Sequence, residues 1–144
     1  MKLYFDSAYI AKCYLNEAHG TEVRKLARNA SARYSSSLCI AELTCVFHRQ
    51  IREGSISQEV AAKLRHFFLD DLKNQVWTLI PITDQLLYRV EFFTRNLPSK
   101  AYVRAGDAIH LVSAAEHGFD EIWTNDRHLL AAASYAGLTG RTIA

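Results

Sequence analysis

The sequence has few cysteines, no long apolar run and no glycine-rich loop, and each of these shortages excludes a class of protein. Its three cysteines, Cys13, Cys39 and Cys45, form no CxxC pair and no Cys/His cluster with zinc-ligand spacing. A disulfide framework and a structural zinc site are therefore not expected. No stretch approaches the roughly 18 apolar residues of a membrane span. No glycine-rich segment follows the first apolar run, which excludes P-loop and Rossmann nucleotide-binding proteins.

The sequence also shows little excess of charge of either sign. It has 17 Lys and Arg residues against 15 Asp and Glu residues, a formal net charge of +2. This balance permits a nucleic-acid partner without requiring one. The first segment, MKLYFDSAYI, reaches an acid at position 6 and lacks the apolar core and cleavage site of a signal peptide. We therefore expect a cytoplasmic protein that makes no contact with a membrane.

Short apolar segments alternate with amphipathic ones along the 144 residues. The segments KLYFD, ARYSSSLC, VWTLIPI and FDEIWTND have strand composition, GRTIA is a candidate for a last edge strand, and the segments between them have helical periodicity. This alternation predicts a single α/β domain, residues 1–144, with a parallel sheet of four to five strands covered by helices on both faces. In such sheets a ligand binds beyond the carboxyl ends of the strands.

Four acidic residues from distant segments are predicted to meet at that edge of the sheet. Asp6 ends the first strand, and Asp126 ends the EIWTND strand, with Thr124 on the same side of the pleat. Glu42 lies among apolar neighbours near the start of the helix LCIAELTCVFHRQIREG. Asp107 is predicted to open the helix AIHLVSAAEHG. Each aspartate also has a purely structural interpretation, as a strand-end turn or a helix cap.

Carboxylates that gather at one place need a counter-charge. Like charges a few ångströms apart raise one another's pKa, and an unpaired buried charge costs several kcal/mol. Mg²⁺ and Mn²⁺ prefer oxygen ligands and would resolve this conflict. A metal held in this way lowers the pKa of a bound water and stabilises the charge on a leaving oxygen. The chemistry that these residues imply is phosphodiester hydrolysis.

Four segments resemble, in order and spacing, the acidic motifs of PIN-domain nucleases, and within these the VapC-like toxins of bacterial toxin–antitoxin pairs. They are LYFDSAYIAKCYLNE, SSSLCIAELTCVFHR, RAGDAIHLVSAAEHG and IWTNDRHLLAAASYAGL. The resemblance implies a PIN-like domain and a Mg²⁺-dependent endoribonuclease, with Mn²⁺ as a substitute. It assigns catalysis and metal binding to Asp6, Glu42, Asp107 and Asp126, and makes Thr124 the accompanying hydroxyl. It also implies a homodimer and inhibition by a cognate antitoxin.

Five further polar residues lie close to these motifs. Ser7 is expected to hydrogen-bond a ligand carboxylate or to cap the first helix. Arg104 is expected to hold a phosphate or to neutralise an acid, and Lys12 is a second candidate for RNA binding. His110 and His128 each follow an acid closely, and both are interpreted as helix-packing residues rather than general bases.

The aromatic residues suggest a protein partner. Six of them lie at helical spacing, and more lie on the two middle helices than one small core needs: Phe47, Phe67, Phe68, Tyr88, Phe92 and Phe93. The exposed remainder predicts an apolar groove between helices for a partner helix. The resemblance to VapC-like toxins implies that the antitoxin segment binds in this groove and that the homodimer contact lies elsewhere.

Two alternatives to a nuclease stay open. One is a non-catalytic PIN-like module that only binds a partner. The other is a Mg²⁺-binding receiver domain of a signalling protein, but VWTLIPIT and EIWTNDRH supply neither its phosphoacceptor aspartate nor its lysine. RNA cleavage separates the nuclease from both.

Overall fold

Strands and helices alternate along residues 1–143, the part of the chain that the computed structural model describes. Ala144, the last residue of the predicted final strand, lies outside the described residues. The strands are β1 Lys2–Tyr4, β2 Ala32–Ser36, β3 Thr78–Ile80, β4 Glu121–Trp123 and β5 Thr139–Arg141. The helices are α1 Ser7–Lys12, α2 Gly20–Asn29, α3 Leu38–Arg52, α4 Gln58–Lys73, α5 Asp84–Arg95, α6 Ala105–Glu116 and α7 Arg127–Ala132, which a 3₁₀ turn, Ala133–Ala136, follows.

All strand pairs within the described residues are parallel, which confirms the predicted sheet. β2 lies between β1 and β3, and β4 pairs with β5. A parallel bridge between Phe5 and Trp123 joins the end of β1 to β4, so the strand order is β3-β2-β1-β4-β5. The chain therefore leaves β1 in one direction along the sheet and later returns on its other side. A crevice forms at such a switch point, beyond the carboxyl ends of the two strands.

The alternating side chains of β1 reach two cores on opposite faces of the sheet. Leu3 and Phe5 pack with buried residues of α1, α2 and α3. Tyr4 points the other way and packs with Leu111 of α6 and Leu129 of α7. Period-two alternation in an extended strand produces this division. Helices therefore cover both faces, as the sequence predicts, and the sheet is fixed from both sides.

Helix ends place several of the predicted site residues. The Asp6 side chain caps α1 by accepting the Tyr9 backbone N–H at 2.9 Å, so Ser7 is not the cap. Asp126 caps α7 in the same way. The expectation that Asp107 opens a helix is wrong, because α6 begins at Ala105. Asp107 is the third residue, and its carboxylate reaches back to the Arg104 N–H at 3.2 Å, as acids at this position of a capping box do.

Among the described residues, none of the helices combines the length and the hydropathy that a membrane span requires.

The end of α3 agrees with the predicted helix LCIAELTCVFHRQIREG. Glu53 is the C-cap of α3, and Gly54 follows with a φ of 76°. A residue without a Cβ adopts this left-handed conformation at little cost, which explains the glycine at the end of the helix.

Candidate active site

A cleft of about 870 Å³ opens at the carboxyl ends of β1 and β4. Asp6, Glu42, Asp107 and Asp126 line it, together with Ser7, Arg104 and His110. Four separate elements supply the acids: the end of β1, helix α3, the first turn of α6 and the loop after β4. The structure therefore brings together all four residues that the sequence singled out. They meet where the topology predicts a ligand crevice.

Asp6 is buried and both of its oxygens accept hydrogen bonds. Oδ1 accepts the Tyr9 N–H, and Oδ2 accepts the Thr124 hydroxyl. Thr124 in turn accepts the backbone N–H of Asp126 at 2.9 Å, which ties two acids to one hydroxyl. Burial raises the pKa of Asp6 to about 6, and the nearby His110 and the Thr124 hydrogen bond only partly oppose this rise. The hydrogen bonds and the nearby His110 thus stabilise the negative charge of Asp6 only in part.

Glu42 is held by a chain of hydrogen bonds that begins in the sheet. The Tyr4 hydroxyl bonds Nδ1 of His110 at 2.8 Å, and Nε2 of His110 bonds Oε1 of Glu42 at 2.8 Å. Ser7 donates its hydroxyl to the same oxygen at 2.6 Å. Burial alone would raise the pKa of Glu42, but His110, Ser7 and the charge of Arg104 together lower it below its ordinary value. Glu42 is therefore oriented and ionised.

Arg104 bridges the other two acids. Its Nε lies 3.2 Å from Oδ2 of Asp107, and one terminal nitrogen lies 2.7 Å from Oδ2 of Asp126. Within residues 1–143, no other Lys or Arg side chain forms an ion pair with the four acids. The arginine thus neutralises acids, as one of its two sequence-based interpretations expects. Its side chain is 57% exposed, so the contact is open to solvent and to exchange.

The oxygen donors of this cleft suit a hard divalent cation. Asp107 uses only Oδ2 for Arg104, and its other oxygen makes no hydrogen bond within the described residues. Asp6 offers a buried carboxylate whose pKa the fold has raised. No group of three His, Cys, Asp or Glu residues in positions 1–143 is already arranged around a metal position. Mg²⁺ commonly binds only one or two carboxylates directly and completes its coordination shell with water. Asp6 and Asp107 therefore suit a Mg²⁺ ion.

The sequence model of the PIN domain matches residues 3–134. The chain belongs to the PIN domain family. This confirms the resemblance carried by the four acidic motifs. A comparison with curated proteins finds no match.

The solved structures that share the fold of this PIN domain include the following two. One is VapBC2 from Rickettsia felis bound to a DNA fragment from its promoter, with a TM-score of 0.68 and 14% identity over 99% of this chain and 98% of that chain. The other is VapC20 from Mycobacterium tuberculosis, a toxin that cleaves the Sarcin-Ricin loop, with a TM-score of 0.67 and 14% identity over 90% and 94% of the two chains. At this identity the likeness establishes the fold.

Two of the predicted polar residues, Lys12 and His128, do not line the cleft of the PIN domain. Lys12 is buried, and its ammonium donates to the Ala18 carbonyl at 2.9 Å and pairs with Glu17 at 3.5 Å. It is absent from the lining of the cleft, and its role in RNA binding stays a prediction. The His128 ring packs on Tyr102 with 4.2 Å between the ring centroids, which fits its interpretation as a packing residue.

The sequence analysis assigned too small a role to His110. It is buried, as expected of a packing residue, but both ring nitrogens make hydrogen bonds and one of them holds Glu42. Its position three residues after Asp107, on the same helix face, was the available signal. Six further residues of α3 that line the same cleft were not predicted, and four of them carry a polar or charged side chain or a thiol: Cys45, His48, Arg49 and Arg52.

Gly106 provides a test of how closely Glu42 must be placed. A Cβ at position 106 would lie 3.0 Å from Oε2 of Glu42, so Gly106→Ala would displace that carboxylate. We expect nuclease activity to fall about tenfold, while helix propensity raises the free energy of unfolding by up to about 1 kcal/mol. Initial rates of RNA cleavage and thermal melting measure the two effects.

A substitution on the same helix serves as the control for Gly106→Ala. The Ser113 hydroxyl is buried and has no hydrogen-bond partner within the described residues, so Ser113→Ala should also stabilise α6. It does not line the cleft, and we expect full activity. If Gly106→Ala cleaves RNA as fast as the parent protein, the close approach to Glu42 has no functional role.

Proposed function

We propose that this PIN domain is a divalent-metal-dependent endoribonuclease and the toxin of a toxin–antitoxin pair, with Mg²⁺ as its metal and Mn²⁺ as a substitute. The observation that carries the proposal is the meeting of four carboxylates in one open cleft, where Arg104 is the only Lys or Arg of residues 1–143 that forms an ion pair with any of them. A purely structural role would account for the position of the three aspartates as helix-end residues. It does not account for Glu42 held in the cleft, and a structural cap gains nothing from the burial that raises the pKa of Asp6.

The mechanism assigns a different task to each acid. Asp6 and Asp107 would hold the metal, which when bound supplies charge neutralisation and lowers the pKa of water. Oε1 of Glu42 is occupied by Ser7 and His110, so Oε2 is the atom that accepts a proton from the attacking water. Asp126, fixed by the Thr124 hydroxyl and by the start of α7, orients that water. In-line attack of the water oxygen on phosphorus breaks the bond between phosphorus and the 3′-oxygen. The 3′-oxygen takes a proton from solvent, which leaves a 5′-phosphate and a 3′-hydroxyl.

Arg104 acts at the mouth of the cleft in this mechanism. Its guanidinium pairs with Asp107 and Asp126 on one side and is solvent-exposed on the other. An incoming phosphate competes for the same donors, because arginine binds phosphate and carboxylate with the same fork of N–H groups. Arg104 thus passes from neutralising the acids to holding the substrate.

The exposed aromatic residues are assigned to protein partners. Phe47 and Phe68 are buried, but Phe67, Tyr88 and Phe92 are 57%, 76% and 60% exposed. A groove of about 620 Å³ runs between α5 and α6 and is lined by Tyr88, Phe92, Phe93 and Tyr135. We assign this groove to an antitoxin segment and the remaining apolar surface, around Phe67 on α4, to a second copy of the chain. We also propose a cytoplasmic location, because the proposed RNA substrate and antitoxin would meet the protein there.

Cleavage of total cellular RNA by the purified protein, with Mg²⁺ or with EDTA, tests the proposed function. We expect defined fragments with 5′-phosphates in the presence of the metal and intact RNA in EDTA. Mapping the fragment ends identifies the RNA that is cut. Intact RNA under both conditions, with antitoxin shown to be absent from the preparation, would instead support the non-catalytic binding module.

A further inference from the structure

The cleft continues past the acids along α3, where its lining changes from acidic to basic. Beyond Glu42 the lining residues of this helix are Cys45, Val46, His48, Arg49 and Arg52. Steps of three and four residues keep them on one face of the helix. The opposite face carries the buried residues Cys39, Leu43 and Phe47. The packing of α3 therefore fixes which side chains the cleft receives.

The two arginines of this segment are without partners. Arg49 and Arg52 are exposed, and neither guanidinium forms an ion pair or a side-chain hydrogen bond within residues 1–143. Six other arginines of the described residues make hydrogen bonds or ion pairs, and the three that make none, Arg28, Arg65 and Arg127, do not line the cleft. Arg33 donates to three backbone carbonyls, and Arg141 pairs with a glutamate. Free cations that line the same cleft as the acids attract an anionic ligand that spans both.

The acidic side chains of the neighbouring helix do not pair with these arginines. α4 packs against α3, and within the described residues its acids, Glu59, Asp70 and Asp71, form no ion pair with either arginine. Asp70 and Asp71 accept hydrogen bonds from Asn74 and Tyr14. Because no carboxylate of the described residues pairs with Arg49 or Arg52, their donors stay available to a ligand from solution.

We propose that His48, Arg49 and Arg52, here called the basic track, bind the phosphate backbone of the RNA strand that enters the acidic cleft. This inference rests on the proposed function. At a rise of ~1.5 Å per residue, Arg49 and Arg52 lie about 10 and 15 Å along the helix from Glu42. At ~3.4 Å per step of a stacked strand, this corresponds to phosphates about three to five nucleotides from the cleaved bond.

The layout favours a nucleic acid over an acidic protein segment. An acidic peptide would form ion pairs with the arginines, but it would have no group that interacts favourably with the carboxylates at the other end of the cleft. A phosphodiester strand uses both ends, since backbone contacts position it and the acids act on one bond. Arginine also provides bidentate contacts to phosphate oxygens. The basic track sets the register of the strand without reading its bases.

The test measures RNA binding separately from cleavage. All proteins carry Asp107→Asn so that RNA stays intact, and the probe is a fluorescein-labelled single-stranded RNA of about 12 nucleotides, long enough to span the ~15 Å track. Fluorescence anisotropy in Mg²⁺ buffer gives the Kd at a series of salt concentrations. The test variant is Arg49→Gln/Arg52→Gln. The control, Lys63→Gln/Arg65→Gln, removes two exposed charges of α4 that do not line the cleft.

We expect the test variant to bind about tenfold more weakly and the control to bind as the parent does. The slope of log Kd against log salt should fall by about 1.4, or about 0.7 for each lost phosphate contact on a single strand. Arg49→Lys/Arg52→Lys should keep most of the slope, because the charge remains. Equal Kd values for test and control variants, whether both unchanged or both weakened, would overturn the inference. Absence of RNA binding by the parent would do the same.

Cleavage by proteins with native Asp107 separates this inference from the proposed function. If the basic track governs binding but the protein cuts no RNA with Mg²⁺, the proposed nuclease fails and the RNA-binding track remains. If the protein cuts RNA and the test variant cuts with an unchanged KM, the track is overturned and the nuclease remains. A rise in KM with kcat nearly unchanged supports both, because the track binds the strand at a distance from the reacting atoms.

Discussion

Replacing Asp107 by asparagine is expected to lower metal-dependent RNA cleavage by about 100-fold or more and to leave the fold intact. The substitution removes the charge that would hold the metal, and the neutral amide oxygen is a poorer ligand for a hard cation. The structural task of Asp107 survives, because an amide oxygen still accepts the Arg104 N–H at the start of α6. Cleavage rates and circular dichroism of the variant measure the two effects.

Asp84→Asn is the matched control for Asp107→Asn. Asp84 also lies in the first turn of a helix, α5, but it is exposed and does not line the cleft. We expect it to cleave RNA at the parent rate. If Asp107→Asn retains activity while its melting temperature falls, Asp107 is a structural cap, and the assignment of the metal to this residue is wrong.

The stability of Asp107→Asn also depends on a contact that only the structure shows. Four clustered acids suggest that removing one charge relieves repulsion and stabilises the metal-free protein. Arg104, however, lies between Asp107 and Asp126 and already offsets that repulsion. The exchange therefore also removes a partly exposed ion pair worth about 0–1 kcal/mol. We expect the melting temperature to change little.

The sequence predicted the parts of the fold that follow from local periodicity. Alternating strands and helices gave the parallel sheet, and the positions of Asp6 and Asp126 at strand ends placed both at one edge. Ser57 and Thr83 cap α4 and α5, as expected of hydroxyl residues before apolar periodic segments. The predicted start of α6, Asp107, lies two residues after the observed start, Ala105. An acid is equally favourable at the N-cap and at the third position of a helix, so the sequence does not distinguish the two.

Side-chain partners across the site could not be predicted in the same way. The hydrogen bonds from Tyr4 to His110 and from His110 to Glu42 join residues 106 and 68 positions apart, and no sequence spacing encodes such pairs. Lys12 lies close to Asp6 along the chain, yet it turns to the Ala18 carbonyl instead of the cleft. By contrast, Arg49 and Arg52 could have been found, because their spacing from Glu42 is helical.

Replacing Asp6 by asparagine is expected to abolish cleavage and, at pH 7 without metal, to stabilise the protein. Burial raises the pKa of Asp6 from 3.8 to about 6, so the folded state favours the protonated form more than the unfolded state does. The native protein therefore binds more protons between about pH 4 and pH 6, and its stability falls as the pH rises through this range. A shift of about two units corresponds to about 3 kcal/mol above pH 6.

Asparagine removes this pH-dependent cost but fits the site less well than a protonated aspartate. Its oxygen can accept the Tyr9 N–H, while its NH₂ group faces a Thr124 hydroxyl that now donates to Asp6. We therefore expect a net gain of about 1–2 kcal/mol at pH 7 and little or no gain at pH 4. Thermal melting from pH 4 to pH 8 in EDTA measures the difference between variant and parent at each pH.

Two controls, Asp120→Asn and added Mg²⁺, show whether the difference in melting temperature between Asp6→Asn and the parent arises from the buried charge and from metal binding. Asp120 is exposed, so Asp120→Asn removes the same charge without the burial and should shift the melting temperature equally at every pH. Mg²⁺ should stabilise the parent and not Asp6→Asn, because a ligand that binds only the native state raises its stability. A variant that is less stable than the parent at pH 7 would show that Asp6 is a structural cap. Stability gained together with activity lost would instead mean that the fold tolerates an unfavourable buried charge because the metal requires it.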